Sequence, residues 1–397
     1  MENITLNTIL NWTKGRYQGP AGQLGTAVTE IITDSRQVTP GSLFAAIPGE
    51  QRDGHDFCGE AQARGAVCCL VQKPIAQTPA ILVTDTLAAL GQIAQGYRLS
   101  FPQRRLLAVT GGAGKTTAKE MLAAVLGHRF SLLKTPGNFN NALGLPLTLF
   151  QLAASQELAV IELGISGFGE MEALAEIARP DLAFYTNIGD AHLEALGDRA
   201  GVLKAKSALL DALPKGASVY LNGDDPWLRK IRQIPGVEQR WYGLGPGNDL
   251  QVRAAEVTAF SCQGRLTGQG LDLPIQLNAG GRYLLATAAG AALAALDLGL
   301  NPEEIRAGLA AFRPLRGRGE LIDCGEIRVI DHSYNANPNS MAAALDALSR
   351  LPGRRVAILG DMYELGDNWA SLHWQTGAYA AGHADLVLAV GELAEQL

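Results

Sequence analysis

A glycine-rich turn between an apolar strand and a helix is the segment of this sequence best suited to bind phosphate. The run LLAVT at 106–110 predicts a buried strand, and we expect a helix from Thr116 onward. Backbone N–H groups of residues 111–114 could surround phosphate oxygens, the Lys115 ammonium could neutralise them, and the Thr116 hydroxyl could bind Mg²⁺. The strict spacing of such loops fails because Val109 replaces their first glycine. The segment therefore predicts a variant phosphate-binding loop, with a plain strand-to-helix turn as the alternative.

Three further residues have side chains that bind cations or carry charge in active sites. Glu162 lies near the end of the apolar run at 158–163, where an unpaired carboxylate would be costly, so we predict that it binds a metal ion. Taken alone, His192 could equally be a structural polar residue near a turn, with its hydrogen bonds formed inside the protein. Lys206 could be an exposed helix lysine. The local patterns of His192 and Lys206 therefore do not identify a reaction.

Strand-like runs alternate with helical segments along most of the chain. Short apolar runs are separated by turns rich in Gly and Pro or by Ala-, Leu- and Glu-rich segments with helical spacing. This alternation predicts an α/β fold with mostly parallel sheets covered by helices. The apolar stretch at 283–296 predicts a buried helix, because about 20 residues are needed to span a bilayer. The strand-like runs are 43–47, 66–71, 80–84, 106–110, 158–163, 182–187, 217–222, 327–332, 355–360 and 384–390.

The chain is long enough for several domains. Its 397 residues fit two or three domains of about 150 residues each. A polar, proline-containing stretch at 101–105 predicts a linker, and the pattern changes again after Arg313-Pro314. We therefore predict three α/β domains, of which the second contains the phosphate-binding loop and the third is small: 1–102, 103–314 and 315–397.

Composition and charge exclude several classes of partner and location. A net charge of -6 provides no field that attracts a polyanion, so we predict no nucleic-acid partner. The N-terminus has no secretory signal pattern, and no stretch predicts a membrane span. Five cysteines without a CxxC pair suit a reducing compartment and are predicted to be core residues rather than ligands. We expect a cytoplasmic protein, and nothing demands more than a monomer.

Several longer motifs resemble the Mur ligase family. TGGAGKTT, TPGNFNNALGLPLTL, IELG, ARPDLAFYTNIGDAHLEALG and KAKSALL are similar to its central domain, and ITDSRQVTPGSLFAAIPGEQRDGHDF to its N-terminal domain. The resemblance implies a three-domain Mur ligase architecture. It comprises a domain that binds a UDP-sugar, a central P-loop domain with a parallel sheet that binds ATP, and a shortened Rossmann-like C-terminal domain. These motifs lie at 110–117, 135–149, 161–164, 178–197, 204–210 and 32–57.

Two C-terminal motifs suggest a branch of the family. DHSYNANPNSMAAALDAL at 331–348 and ILGDMYELG at 358–366 look most like the members that add D-alanyl-D-alanine. The resemblance implies that ATP phosphorylates the terminal carboxylate of UDP-N-acetylmuramoyl-tripeptide and that the amine of D-alanyl-D-alanine attacks the acyl phosphate. Such phosphoryl transfer needs positive charge and alignment, which Lys115 and Mg²⁺ would supply.

The resemblance also implies roles for individual residues. Lys115, His192 and Lys206 would be catalytic, and Ser35 and Arg36 would bind the UDP part of the substrate. Asn335 and Asn337, followed by Pro338, would form the loop that faces the active centre and the dipeptide. The Mg²⁺ ligands would be Thr116, Glu162, His192 and Lys206, the last as a carbamate. ATP would be bound by Gly111, Gly112, Ala113, Gly114, Lys115, Thr116, Thr117, Arg318 and Asp331.

Two alternatives remain open from the sequence. Gly112 and Ala113 replace a Ser or Thr and an Asn of the family, and residues 281–288 depart from its adenine-binding pattern. A non-catalytic or truncated relative that binds nucleotide or a UDP-sugar would explain these changes. Another Mur or folylpolyglutamate-type amide ligase is the second alternative, against which the motifs at 331–338 and 360–366 argue.

Overall fold

The computed structural model describes residues 1–76, 79–258 and 261–397. The helices are α1 (Leu6–Thr13), α2 (Cys58–Ala63), α3 (Thr86–Leu99), α4 (Lys115–Leu126), α5 (Gly144–Leu149), α6 (Glu170–Ala178), α7 (Leu193–Leu196), α8 (Arg199–Ser207), α9 (Arg282–Asp297), α10 (Pro302–Ala311), α11 (Pro338–Ser349) and α12 (Trp369–Ala381). Strands β1–β9 are Arg16–Gln18, Glu30–Ile32, Ser42–Ala45, Cys68–Val71, Ala80–Leu82, Arg105–Thr110, Leu132–Lys134, Leu158–Glu162 and Leu182–Tyr185. Strands β10–β18 are Ser218–Asn222, Glu238–Gly243, Leu250–Val257, Cys262–Gly268, Leu271–Leu277, Glu320–Asp323, Arg328–Asp331, Val356–Gly360 and Leu386–Val390.

The chain forms two compact units, of which the smaller contains the N-terminal sheet. This unit comprises residues 1–106, 135–159 and 173–179. Its five strands have the order β1-β5-β4-β3-β2, and every neighbouring pair is parallel except β1 with β5. The central strands β3 and β4 are buried along their whole length, as expected for a parallel sheet covered by helices.

The larger unit is built around a nine-stranded sheet. The unit comprises residues 107–134, 160–172 and 180–397, and the strand order is β14-β13-β12-β11-β10-β9-β6-β8-β7. Neighbouring strands from β6 through β9, β10 and β11 to β12 run parallel. In parallel strands the carboxyl ends meet at one edge, so the segments that follow β6 and β9 lie side by side. That edge carries the candidate site.

The far side of this sheet is antiparallel, which the sequence analysis did not predict. Strands β12, β13 and β14 form a meander with antiparallel pairing, and residues of β14 are alternately buried and exposed. This alternation is visible in LDLPIQL at 271–277, but Pro274 lies inside the run and made it a weak strand signal. The prediction of a mostly parallel sheet therefore applies to the strands that position the site. The meander adds antiparallel strands at one edge of the same sheet.

Helix α9 covers this sheet and is buried on nearly all sides. Eleven of its residues are buried, in agreement with the prediction of a buried helix at 283–296. It packs against β10 to β13 and against α4, the helix that begins at the phosphate-binding loop. Burial of such a helix contributes roughly 25 cal/mol for each Å² of apolar surface removed from water. The start of α4 is thus fixed by the core.

The C-terminal residues 315–397 form two small sheets. Strands β15 and β16 form an antiparallel hairpin. Strands β17 and β18 pair in parallel, and α12 connects them in the sequence. The run at 327–332 is therefore a strand as predicted, but it belongs to a separate hairpin rather than to a parallel sheet. The buried core of this part includes Met341, Leu345, Met362 and Leu365.

Other predictions can be compared with the structure. Each predicted strand-like run overlaps one of the strands, so these predictions are confirmed. The prediction that all cysteines are core residues is wrong for Cys324, which is exposed next to the β15–β16 hairpin. Among the described residues, no helix is sufficiently long and apolar to cross a membrane. The boundaries of the three domains stay a prediction.

Candidate active site

The phosphate-binding loop joins β6 to α4 through backbone conformations that require glycine. Gly114 caps α4 at φ 75°, and Gly111 has φ 148°. A Cβ at Gly111 would lie 2.0 Å from Thr186 Oγ1, and one at Gly112 would lie 2.7 Å from Gly189 N. The loop therefore packs directly on the segment that follows β9, and only residues without a side chain fit there.

Asn187 forms hydrogen bonds with several backbone groups of the phosphate-binding loop. The sequence analysis did not identify this residue. Its Oδ1 accepts from Ala113 N at 2.9 Å, its Nδ2 donates to Ala113 O at 3.0 Å, and its backbone O accepts from Gly112 N at 2.9 Å. Thr186 Oγ1 also donates to Ala113 O, at 2.6 Å. Two of the four N–H groups predicted to surround phosphate are thus engaged within the protein. The available signal was the polar pair directly after β9, a neighbour of β6.

Lys115 lies at the first position of α4 beside other charged groups. Its Nζ donates to Gly111 O at 3.1 Å. Burial lowers the pKa of Lys115 below its ordinary value; the Glu162 carboxylate opposes this shift and Arg318 adds to it. Lys115 is thus close enough to Glu162 and Arg318 for electrostatic interaction, which brings together residues that are far apart in the sequence.

Thr116 and Glu162 form a buried pair at the start of α4. Thr116 Oγ1 donates to Glu162 Oε2 at 2.9 Å, and each residue is only 2% exposed. Both offer the hard oxygen atoms that Mg²⁺ prefers. Among the described residues, no group of three or more His, Cys, Asp and Glu side chains forms a metal site. A carboxylate and a hydroxyl could bind Mg²⁺ together with phosphate oxygens and water.

Lys206 is a fully buried lysine on α8. Among the described residues its Nζ has no hydrogen-bond partner. Burial lowers the pKa of Lys206 well below its ordinary value; Lys115 adds to this shift and Glu170 opposes it. The alternative of an exposed helix lysine is therefore wrong. An amine with a lowered pKa is the neutral nucleophile that reacts with CO₂, so the site fits a carbamate whose oxygens would bind a cation.

His192 lies directly before α7 in a left-handed backbone conformation. Its φ is 57°, and its Nδ1 contacts Oε2 of Glu364, which lies in the loop after β17. Burial lowers the pKa of His192; Glu364 opposes this shift, and the charges of Lys206 and Lys115 add to it. His192 is therefore within electrostatic range of both lysines, as expected for residues of one site.

The residues predicted from the C-terminal motifs have mainly local contacts. The Arg318 guanidinium lies 3.7 Å from the centre of the Tyr334 ring, a cation–π contact. Hydrogen bonds from the Ser333 hydroxyl and from Ser333 N, the latter 2.9 Å from Asp331 Oδ1, lower the pKa of Asp331. Asn337 caps α11 by accepting from the backbone N–H of Ser340 at 2.9 Å. Pro338 is the first residue of this helix, and Asn335 is exposed and bonded to Ala336 N.

Ser35 and Arg36 belong to the smaller unit, where they form a short 3₁₀ helix with Gln37. Ser35 is buried and donates to Glu60 Oε2 at 3.1 Å. Arg36 is exposed and donates from Nε and Nη2 to the two carboxylate oxygens of Asp34, at 2.9 and 2.7 Å. This pairing lowers the pKa of Asp34 to about 2. The predicted UDP-binding residues are thus ordered by acidic neighbours.

Comparisons with known proteins agree with this geometry. Models of the Mur ligase family catalytic domain, the Mur ligase middle domain and the Mur ligase glutamate ligase domain match residues 27–98, 109–295 and 317–397. UDP-N-acetylmuramoyl-tripeptide–D-alanyl-D-alanine ligase from Escherichia coli is 37% identical over 99% of this chain and 87% of that protein. The Bacillus subtilis protein of the same name is 35% identical over 98% of this chain and 85% of that protein.

Solved structures give the same relationship. MurF from Acinetobacter baumannii superposes with a TM-score of 0.93 at 32% identity, covering 99% of this chain and 86% of that one. MurF from Thermotoga maritima in complex with ADP has a TM-score of 0.86 at 28% identity, covering 94% and 86%. The predicted family and fold are thereby confirmed. The chain belongs to the Mur ligase family of ATP-dependent ligases.

Proposed function

We propose that this chain joins D-alanyl-D-alanine to UDP-N-acetylmuramoyl-tripeptide at the expense of ATP, in the synthesis of the peptidoglycan precursor. The proposal rests on the names of relatives that match nearly the whole chain. The structural observation that supports it is the group formed by Lys115 and the buried residues Thr116, Glu162 and Lys206 at the carboxyl edge of the central sheet. A protein that only bound a nucleotide would have no physical need for a buried lysine that has no hydrogen-bond partner among the described residues.

The reaction balances in two steps. A carboxylate oxygen of the tripeptide attacks the γ-phosphorus of ATP, and ADP leaves, which gives an acyl phosphate. The dipeptide amine then attacks the carbonyl carbon, inorganic phosphate leaves and the amine loses a proton. Activation is needed because a carboxylate is a poor electrophile, whereas phosphate is a good leaving group.

The residues of the candidate site fit this chemistry. Lys115 and Arg318 would balance charge on the transferred phosphoryl group. Thr116 and Glu162 would bind Mg²⁺, with His192 and a carbamylated Lys206 binding a second ion. Bound Mg²⁺ would neutralise charge on the phosphates and align them. Asn335 and Asn337 would lie near the dipeptide, and Ser35 and Arg36 would bind the UDP part of the other substrate.

The location and assembly of the protein stay predictions from the sequence. A cytoplasmic monomer without nucleic-acid or membrane partners is consistent with its charge and its free cysteines. The ATP and nucleotide substrates are also consistent with that compartment.

Release of inorganic phosphate by the purified chain tests the proposal. The assay contains Mg²⁺, ATP, UDP-N-acetylmuramoyl-tripeptide and D-alanyl-D-alanine, each omitted in turn. We expect release to require all four and to fall by about 10²- to 10³-fold in Lys115→Ala, because one charge-stabilising donor is lost. A folded chain that binds the UDP-peptide without releasing phosphate would support the non-catalytic alternative instead.

A further inference from the structure

The loop after β17 contacts the segment around His192 with both side chain and main chain. This loop, residues 361–366, is here called the β17 loop. Oε2 of Glu364 contacts His192 Nδ1, and the backbone O of Glu364 accepts from Glu194 N at 3.3 Å. One residue of the C-terminal part therefore holds a candidate metal ligand that lies far away in the sequence.

Backbone conformations on both sides of this contact are unusual. His192 has φ 57° and Glu364 has φ 63°, in the left-handed region that L-residues other than glycine rarely adopt. Gly366 has φ 60°, and a Cβ there would lie 3.3 Å from Glu194 Cα. Such conformations persist where the surrounding structure determines them, and they concentrate at functional sites.

The β17 loop is anchored independently of His192. Met362 N donates to Nε2 of His373 at 3.0 Å, and Nδ1 of the fully buried His373 lies 2.7 Å from Trp369 O. At the start of the loop, Asp361 Oδ1 accepts from Leu393 N at 3.0 Å. The main chain of Glu364 is thus held by its own part of the protein, so its carboxylate is presented to His192 at a fixed place.

We propose that Glu364 is a positioning residue for His192. A carboxylate that contacts Nδ1 favours the tautomer with the proton on that nitrogen, which leaves the Nε2 lone pair for a metal ion. The same contact fixes the orientation of the ring. Binding of the metal ion by His192 therefore depends on the β17 loop, and this inference rests on the metal site of the proposed function.

A purely structural role for Glu364 would have different consequences. The Glu364 side chain is 53% exposed, and ion pairs at exposed positions contribute little to stability. Removal of the carboxylate should therefore leave the unfolding temperature nearly unchanged. Its effect should appear in the affinity for the metal ion and in the position of the imidazole proton.

Binding of Mn²⁺ to the full chain with ADP, followed by electron paramagnetic resonance, is the first test. We expect Glu364→Ala to weaken Mn²⁺ binding about 10- to 100-fold, as is typical when the partner of a metal-binding histidine is removed. Glu364→Gln should retain binding within about threefold, since its amide oxygen can take the place of the carboxylate oxygen beside Nδ1. Asp367→Ala removes an exposed carboxylate just after the same loop and should bind Mn²⁺ like the unchanged chain.

The tautomer of His192 provides a second measurement. In ¹⁵N-histidine spectra, assigned with His192→Gln, we expect the Nδ1–H form in the unchanged chain and a shift towards Nε2–H in Glu364→Ala. Unchanged Mn²⁺ affinity and an unchanged tautomer in Glu364→Ala would overturn the inference even if the chain is an active ligase. Absent phosphate release in the unchanged chain would instead refute the proposed function, so the two failures are distinguishable.

Discussion

The strands of the central sheet and those of the C-terminal part differ in how much apolar surface they bury. Strands β9 and β10 are buried on both faces over most of their length, whereas β17 alternates between buried and exposed residues and β18 is mainly exposed. The most exposed apolar residue of β17 is Ile358, at 69%. Other exposed apolar residues of these two strands are Val356, Leu386, Leu388 and Val390.

This difference divides the candidate site into two halves. Thr116, Glu162 and Lys206 are buried, so their positions depend on the packing of the central core, and Lys115 adjoins them at the start of α4. Arg318 and the residues 331–337 are held by a ring contact, turns and a helix cap, which are local. The buried half therefore holds its charged groups in fixed positions, whereas the C-terminal half needs less free energy to change conformation.

The largest effect is expected for Lys206→Met. This variant tests whether the buried half of the site lowers the stability of the fold in order to support turnover. Lys206→Met removes a buried amine that has no hydrogen-bond partner in the part of the chain that the structure describes, so we expect the free energy of unfolding to rise by about 1 kcal/mol. Loss of a candidate metal ligand should raise the activation barrier and thereby lower the turnover rate about 100-fold or more. Thermal unfolding and phosphate release measure the two effects, and a variant with unchanged turnover would contradict the role of Lys206.

The stability gain from Lys206→Met should also depend on pH. Burial lowers the pKa of Lys206 in the folded chain, whereas the unfolded value is about 10.4. Between those two values the unfolded chain binds more protons, so the native lysine costs more stability as pH falls. Lys204→Met, on the same helix and outside the buried site, is the matched control.

Hydrogen exchange tests the comparison directly. We expect the backbone amides of β17 and β18 to exchange about 100-fold faster than those of β9 and β10, because local opening of a two-stranded sheet exposes less buried surface. Exchange followed by mass spectrometry of peptides resolves these segments. Equal protection of both sheets would show that the exposed apolar residues do not make the C-terminal part easier to open.

A smaller effect is expected at the cap of α11. Asn337→Ala removes a side chain that accepts from Ser340 N, and it should lower the free energy of unfolding by about 1 kcal/mol. Asn335→Ala is the matched control, since Asn335 is exposed and bonds only locally to Ala336 N among the contacts described for its side chain. Chemical denaturation compares the two variants. An equal loss of stability in both would mean that the cap is not what Asn337 contributes.

The smallest effect concerns the thiols. Burial raises the pKa of Cys68 to about 12 and that of Cys262 to about 11, so neither should react with iodoacetamide near neutral pH. Cys324 is exposed in the turn between β15 and β16. We expect iodoacetamide to alkylate it faster than the buried thiols, without a change in stability. Mass spectrometry counts the labels. Rapid labelling of Cys262 would indicate that the central sheet opens as readily as the C-terminal part.

Much of the fold could be predicted because its signals are local. Apolar runs such as 106–110 and 182–187 mark strands that are buried on both faces, and the glycines of the loop mark a turn that side chains would block. The antiparallel meander was missed because its alternating strands are half-exposed and one contains Pro274. The hairpin of β15 and β16 was assigned to the wrong kind of sheet because pairing partners are not specified by strand-like runs alone.

By itself the sequence determined the buried strands of the parallel sheets, the glycine-rich loop, the family and the choice of Glu162 as a candidate ligand. Only the tertiary structure decided that Lys206 is buried and that Asn187 forms hydrogen bonds with the loop amides. It also decided that Glu364 meets His192. The physical reason is that residue type and spacing set local conformation, whereas burial and pKa depend on groups that folding brings together from distant parts of the chain.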